Sequence, residues 1–373
     1  MSTCGDGSGI LLRVGSIEVV KTDVLIVGGG PAGLAAAIAA RQRGFTVTVV
    51  DAAKPPIDKA CGEGLMPDGV EALARLGVRI APCDFAPFWG IRFINGGTVA
   101  RADFPGVFGM GVRRTRLHPL LVNRAEEVGV RLLWNTAVRE LDFPSARWIV
   151  GADGMNSAVR RWAGFGGCPA RLRRFGFRRH FPVAPWTDTV DVHWGRDCQV
   201  YVTPVGANEV CVAVISRHRH LRLGDALIEF PELAARLGPY APVTPERGSV
   251  TECRRLPRVY RGNVALIGDA SGSVDAITGE GLALSFRQAL ALAEAFAADD
   301  LRLYDAAHRR IARMPGAMAN LMLLIDERGW LRHPVIRLLA AQPRLFSALL
   351  RMHIGAASQH ETGLACFQFS KTQ

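Results

Sequence analysis

"TDVLIVGGGPAGLAAAIAARQRGFTVTVVD", residues 22–51, holds a strand, a glycine turn, a helix and a second strand in 30 residues. Residues 22–27 are an apolar run rich in Val and Ile, too short for a helix, which is the pattern of a parallel strand buried on both faces. Residues 31–43 are alanine-rich, and Gly44 stands where a helix would end. "FTVTVVD" then returns to strand. Between the first strand and the helix, Gly28, Gly30 and Gly33 form GxGxxG. The first glycine permits the tight turn, the second lets the backbone approach a pyrophosphate, and the third allows close helix–strand packing. The helix start at Pro31 and Ala32 turns the free N–H groups of its first turn toward the phosphates. Asp51 closes the second strand, 18 residues past Gly33, where a carboxylate can accept bonds from a ribose diol. The unit predicts dinucleotide binding.

Composition sets the outer limits. The 373 residues have room for two or three core-forming units, and 49% hydrophobic with 21% charged content is that of a folded chain. The net charge of +11 comes from 41 Arg and only 4 Lys, spread over most of the chain, and no nucleic-acid-reading motif accompanies it, so no nucleic acid is expected as a partner. The eight cysteines include no CxxC pair and no metal-ligand spacing, so no metal is expected. No secretory signal and no apolar run of membrane-spanning length is legible, which reads as a cytoplasmic protein with free thiols and no integral membrane segment.

The fold class read from this pattern is α/β: a Rossmann-like dinucleotide-binding domain, which resembles the FAD-binding domains of the glutathione-reductase type, an antiparallel β-sheet substrate domain, and a C-terminal helical segment. The nucleotide domain is discontinuous, 22–82 plus 104–165 plus 256–300. The substrate domain takes 83–103 plus 166–255, where "DTVDVHWG", "CQVYVTP" and "EVCVAVIS" alternate as strands do. "FWGIRFINGGTVARADF" reads as a hairpin turning at "NGG". Residues 301–373 read as helices packed on the core, with contact to a lipid channel or a membrane surface left open. Residues 1–21 read as a loose tail. The arginines of "RLRRFGFRRH" (171–180) could steer an anionic substrate or the phosphate of NADPH, a solvated strand edge being the favoured reading, and His180 and His193 could face a pocket, an ordinary core or surface histidine being favoured.

Two further segments end strands in chemistry-bearing loops. "WIVGADGMNSAVRR" ends in Asp153-Gly154, and "NVALIGDASGSVDAITGEGLALSF" passes through Gly268-Asp269 to Gly279-Glu280-Gly281 at a helix start. With GxGxxG, DG and GD in this order, the chain resembles the flavoprotein monooxygenases of the para-hydroxybenzoate hydroxylase type, over roughly residues 22–300. The resemblance implies FAD, with NADH or NADPH as transient reductant. It implies that Asp269 bonds a ribityl hydroxyl, that Gly279, Glu280 and Gly281 bring backbone N–H groups to the pyrimidine end of the flavin, and that Arg114 of "RTRL" lies close to the cofactor. It further implies that Val138 touches the adenine through its backbone and that Asp153 and Gly154 form a turn near the pyrophosphate, a purely structural turn being the other reading of Asp153.

The same residues point to two reactions. The monooxygenase resemblance implies hydroxylation of an aromatic or polyketide-like small molecule through a flavin C4a-hydroperoxide. "TGEG" together with "CGEG" (61–64) is more similar to the geranylgeranyl reductase branch of the superfamily, in which reduced FAD passes hydride to a C=C bond of a hydrophobic, lipid-like substrate. In the stretch "DKACGEGLMP", Gly62 and Gly64 permit close backbone approach to a flat ring, and Lys59 falls near the cofactor's phosphates or ribityl chain. Cys61 keeps two readings, a compact packing residue or the proton donor of reductive chemistry, with Glu63 as the other acid in reach.

Overall fold

The computed structural model describes residues 12–14, 17–19, 22–139, 146–166 and 172–354. Within the expected tail, Leu12–Val14 pair antiparallel with Ile17–Val19, and the rest of 1–21 lies outside the described residues, as does 355–373 of the C-terminal segment.

Strand Thr22–Val27 is central because its apolar run has a use on both faces. It sits in a six-stranded sheet in the order 131–133, 47–50, 22–27, 146–151, 264–266, 260–261, in which only the last pair is antiparallel. Helix Pro31–Gln42 begins with proline, whose missing N–H costs nothing in a first turn, and Gly44 closes it at φ +87. Its alanines let it lie close against helix Gly281–Ala297, which follows the TGEG loop. Aromatic rings close the same core, Trp148 stacking on Phe296 at 4.7 Å with Phe45 edge-on to Trp148 at 5.3 Å.

The second unit is an eight-stranded sheet in the order 272–273, 247–255, 172–181, 209–216, 198–206, 190–194, 90–95, 98–103. The hairpin forms as expected, with Asn95 opposite Thr98 and Gly96 at φ +56. One junction departs from the antiparallel expectation: 190–194 pairs parallel with 90–95. The hairpin arrives from a distant part of the chain, so no short turn dictates its direction. Strand Leu172–Phe181 also departs from the solvated-edge reading, since it lies inside the sheet between two antiparallel neighbours. Its alternate residues Arg174, Arg178 and His180 point into the protein and are buried. Arg174 pairs with Asp275 at 3.0 Å and Asp326 at 2.7 Å, tying the sheet to the segment just before the TGEG loop and to the last turn of the long helix Leu301–Glu327.

That long helix joins the two units. Near its start, buried Tyr304 donates to the carbonyl of Leu266 (2.7 Å), and near its end Ala319, Met322 and Ile325 pack with Trp194 and Phe93 of the sheet. Helices Gly329–Ala341 and Pro343–His353 then cover the hairpin, so the expected core packing of this segment is present over the described residues. No described helix is long and apolar enough to cross a membrane.

Candidate active site

A single cleft of about 1190 Å³ runs from the GxGxxG turn, past the loop 57–64 and the GEG loop, to the inner face of the eight-stranded sheet. Small-molecule pockets hold roughly 300–1,000 Å³, so the cleft has room for a dinucleotide with a substrate beside it. Every residue predicted to bind the cofactor lines it except Gly33. Gly33 serves the fold: a Cβ there would stand 1.9 Å from the carbonyl oxygen of Gly28.

Three other glycines carry the opposite signature. A Cβ on Gly30, Gly62 or Gly281 would meet no protein atom within 4 Å, and none of the three has the positive φ that requires glycine. The protein itself does not need glycine at these positions, yet all three line the cleft. Bare backbone there suits a flat, phosphate-bearing group lying against it. Arg114 adds a second mark, because it is buried and its Nε has no hydrogen-bond partner. Gly30→Val should therefore give a folded, colourless protein with at least about 100-fold weaker FAD binding, the scale of a few kcal/mol of lost contact. Gly33→Ala should fail to fold; flavin absorbance and circular dichroism read the two outcomes.

The acidic residues around the cofactor cradle divide their work. Asp51 accepts the Gly29 N–H at 2.6 Å and the Ala53 N–H at 2.7 Å, so it shapes the turn as well as lining the cleft. His118 Nε2 bonds the Gly29 carbonyl oxygen (2.9 Å), and burial lowers its pKa, leaving a neutral donor. Asp153 takes the structural role: its Oδ2 accepts N–H groups of Ala158 (2.6 Å) and Val159 (3.1 Å) at the start of the short helix Ala158–Trp162, while Gly154 turns at φ +79. Arg160 reaches from that helix to the carbonyls of Met155 (2.6 Å) and Ala270 (3.0 Å), joining the DG and GD loops. Asp269 holds Lys59 at 2.7 Å in a half-exposed ion pair within the cleft. Val138 is half-buried on the wall beside Asp51.

The role expected of Glu280 rests on its backbone N–H, and its side chain has a separate place. Its side chain is buried beneath the GEG loop with neither oxygen hydrogen-bonded, and His353 Nε2 stands 3.4 Å from Oε1. Burial first, and the neighbouring Asp68 second, push its pKa well up, while burial drives His353 down to about 4. The carboxyl is a neutral acid packed under the loop, leaving only its backbone to face a cofactor.

Glu63 is not the free acid that the CGEG stretch offered. Its Oε2 accepts from His180 Nε2 at 2.6 Å, its Oε1 accepts the Arg114 N–H at 3.0 Å, and Arg178 Nη2 lies 3.6 Å away. All of this is buried. Thr244 Oγ1 at 2.9 Å and Arg178 Nη1 at 3.3 Å donate to His180 Nδ1, which assigns the proton to Nε2. Glu63 adopts φ +59, a conformation costly for a side-chain-bearing residue, and these bonds hold it there. The network pins the loop and sets Cys61 at the cleft wall. Carboxylate, imidazole and the Cys211 thiol also fall within metal-ligand reach of one another, but the Arg178 guanidinium already supplies the positive charge. Burial raises the Cys61 pKa, Arg114 and then Glu63 adding opposing charge effects, so Cys61 is a protonated thiol at neutral pH. The cleft is also lined by Tyr201, Ala213 and Ile215 of the sheet and by Ala319 and Leu323 of the long helix, side chains that give it an apolar end.

His180 and Arg178 hold the loop 57–64, where the favoured sequence readings were an ordinary histidine and a solvated strand edge. The signal was the alternation in 172–181, which puts Arg174, Arg178 and His180 on one face of an internal strand.

Bare glycine backbone, Arg114 and the Lys59–Asp269 pair along one cleft suit a bound dinucleotide. Residues 21–143 match the FAD binding domain family. A menaquinone reductase of Mycobacterium tuberculosis is 34% identical over 168 residues, 43% of this chain and 41% of that protein. The chain thus matches about two fifths of that relative's length. The ubiquinone hydroxylase UbiL of Rhodospirillum rubrum is 28% identical over 383 aligned residues, 89% of this chain and 83% of its own. Among solved structures, a geranylgeranyl bacteriochlorophyll reductase-like protein from Thermoplasma acidophilum superposes with a TM-score of 0.69 at 18% identity, covering 92% of this chain and 98% of the other, which shows a shared fold. Residues 21–143 thus match an FAD binding domain, in line with the FAD that the motifs imply.

Proposed function

We propose that this flavoprotein is a reductase that saturates a C=C bond in an isoprenoid lipid, a prenylated quinone being the class we favour. The observation that carries this reading is the place of Cys61, in the cleft-lining loop pinned by the Glu63–His180 pair, where burial holds its thiol's pKa above the ordinary value. Bound FAD, reduced by NADH or NADPH, would supply the hydride equivalent. Gly30, Arg114 and Asp269 would hold it, and Gly62 and Gly281 would let it lie against bare backbone. The chain's own task is then to place the double bond and to deliver a proton from Cys61 Sγ to the carbon that does not receive the hydride. The wall of Tyr201, Ala213 and Ile215 would bind the isoprenoid chain by excluding water from it. The names of the two relatives, a menaquinone reductase and a ubiquinone hydroxylase, support a quinone with a long apolar tail.

A second reading, hydroxylation of the same class of substrate, is favoured by the long match to the ubiquinone hydroxylase. Oxygen separates the two. With NAD(P)H and a prenylated naphthoquinone, turnover should proceed as fast under nitrogen as in air; a requirement for O2 would overturn the reductase reading in favour of the hydroxylase.

A further inference from the structure

From Arg328 to Ile354 the chain carries five arginines and two histidines and neither aspartate nor glutamate. These residues form the helices Gly329–Ala341 and Pro343–His353, both resting on strand Thr98–Asp103 and on each other. Their inner faces are accounted for: Ile336, Leu339, Phe346 and Leu350 enter the core beside Phe93 and Trp194. Arg332 turns inward to the carbonyls of Gly195 and Asp326.

Their outer faces are not covered by any described residue. Trp330 is 72% exposed, Met352 55%, Leu338 52% and Leu345 43%. On the first helix the exposed positions 330, 333, 334, 337, 338 and 341 recur at intervals of three and four, one continuous face. On the second helix the exposed pairs 344/345 and 351/352 stand seven residues apart, two turns along one face. Both helices lean on one strand, so the two faces look to the same side of the molecule. Arg328, Arg337, Arg344 and Arg351 stand among these apolar residues, exposed and without an ion pair among the described residues. An exposed Leu or Trp alone is ordinary, but a wide apolar surface studded with unneutralised arginines and free of acids is not.

The charge selects the occupant. A second copy of this chain would set the patch against itself in a two-fold contact, bringing arginine against arginine. A bilayer with anionic headgroups has the complementary character: guanidinium groups pair with phosphate oxygens in two-pronged fashion, while Trp and Leu side chains enter the boundary between headgroups and acyl chains. The long helix that walls the apolar end of the cleft with Ala319 and Leu323 runs directly into this layer at Arg328. We propose that the outer face of helices 329–341 and 343–353 docks the protein on an anionic membrane surface, beside the lipid from which its substrate would be drawn. The purpose assigned to the surface rests on the isoprenoid-substrate reading; the surface itself does not.

The test is sedimentation of full-length, FAD-loaded protein with vesicles of phosphatidylcholine alone and of phosphatidylcholine mixed equally with phosphatidylglycerol, no substrate being present. The proposal expects binding to the mixed vesicles at least about tenfold tighter than to the neutral ones, weakened by high salt. Trp330→Ser with Leu338→Ser, and separately Arg337→Glu with Arg344→Glu, should each abolish it while FAD content and circular dichroism stay unchanged. Equal, weak binding to both vesicles would overturn the proposal. So would variants that bind as the parent does, or a dimer in solution that the charge reversal dissociates, since a second copy would then own the face. Vesicle binding is read without turnover, so a failed reductase assay leaves it standing, and a failed sedimentation leaves the reductase reading standing.

Discussion

A Cys61→Ser protein is expected to bind FAD and accept electrons from NAD(P)H as the parent does, yet to turn over an isoprenoid substrate at least about 100-fold more slowly. General acids contribute about 10²–10⁴ to the steps they assist. Serine fits the space of the thiol, so the loop and the cradle should not move, but its hydroxyl is a far weaker acid. Stopped-flow spectroscopy separates the arms: flavin reduction by NAD(P)H unchanged, reoxidation by substrate slowed. The pH profile gives an independent reading. Burial holds the thiol's pKa above its ordinary value, so the donor is fully protonated at and below neutral pH and is lost only as pH rises through that raised pKa. Turnover of the parent should therefore be flat through neutrality and fall on the alkaline side, a limb absent from Cys61→Ser. If Cys61 only packs, the serine protein will keep turnover within a few-fold of the parent.

The second large effect concerns the bonds that set Cys61 in place. Glu63→Ala should destabilise the fold by about 3–5 kcal/mol, the cost of removing one partner from a buried charge network. It would leave Arg178 short of a carboxylate, and the His180 Nε2–H and the Arg114 N–H without acceptors. Glu63→Gln, which keeps an acceptor and loses the charge, should cost less. A double-mutant cycle with His180→Ala, followed by chemical denaturation, measures the coupling directly. Additive effects would mean that the two side chains do not hold the loop.

What the sequence disclosed and what it hid follow from distance along the chain. The 22–51 unit was legible because strand, turn and helix signals lie within one local segment, and the structure uses Gly28 and Gly33 as their spacing predicts. The hairpin at 90–103 was legible from its NGG turn. Asp153 was legible as a motif but not in its task, because capping the 158–162 helix and facing a cofactor leave the same dipeptide in the sequence. The place of the Glu280 carboxyl was likewise hidden, since the GEG motif speaks for its backbone and leaves the direction of its side chain open. The contact of Glu63 with His180 spans 117 residues and two structural units. No local pattern marks it, and only the direction in which alternate residues of strand 172–181 point makes it real. The reaction was hidden most deeply. One FAD cradle serves both chemistries, and they differ in what stands at the cleft wall and in whether oxygen is used.

The most direct measurement is the mass of the product formed by the FAD-loaded protein from a prenylated naphthoquinone and NAD(P)H, under nitrogen and under heavy-isotope oxygen, with every sample exposed to air before analysis. Air returns any ring-reduced quinol to quinone, so only a change in the carbon skeleton persists. The account predicts a gain of two hydrogens, with or without oxygen, located in the isoprenoid chain. A gain of one heavy oxygen atom, formed only when oxygen is supplied, would contradict it.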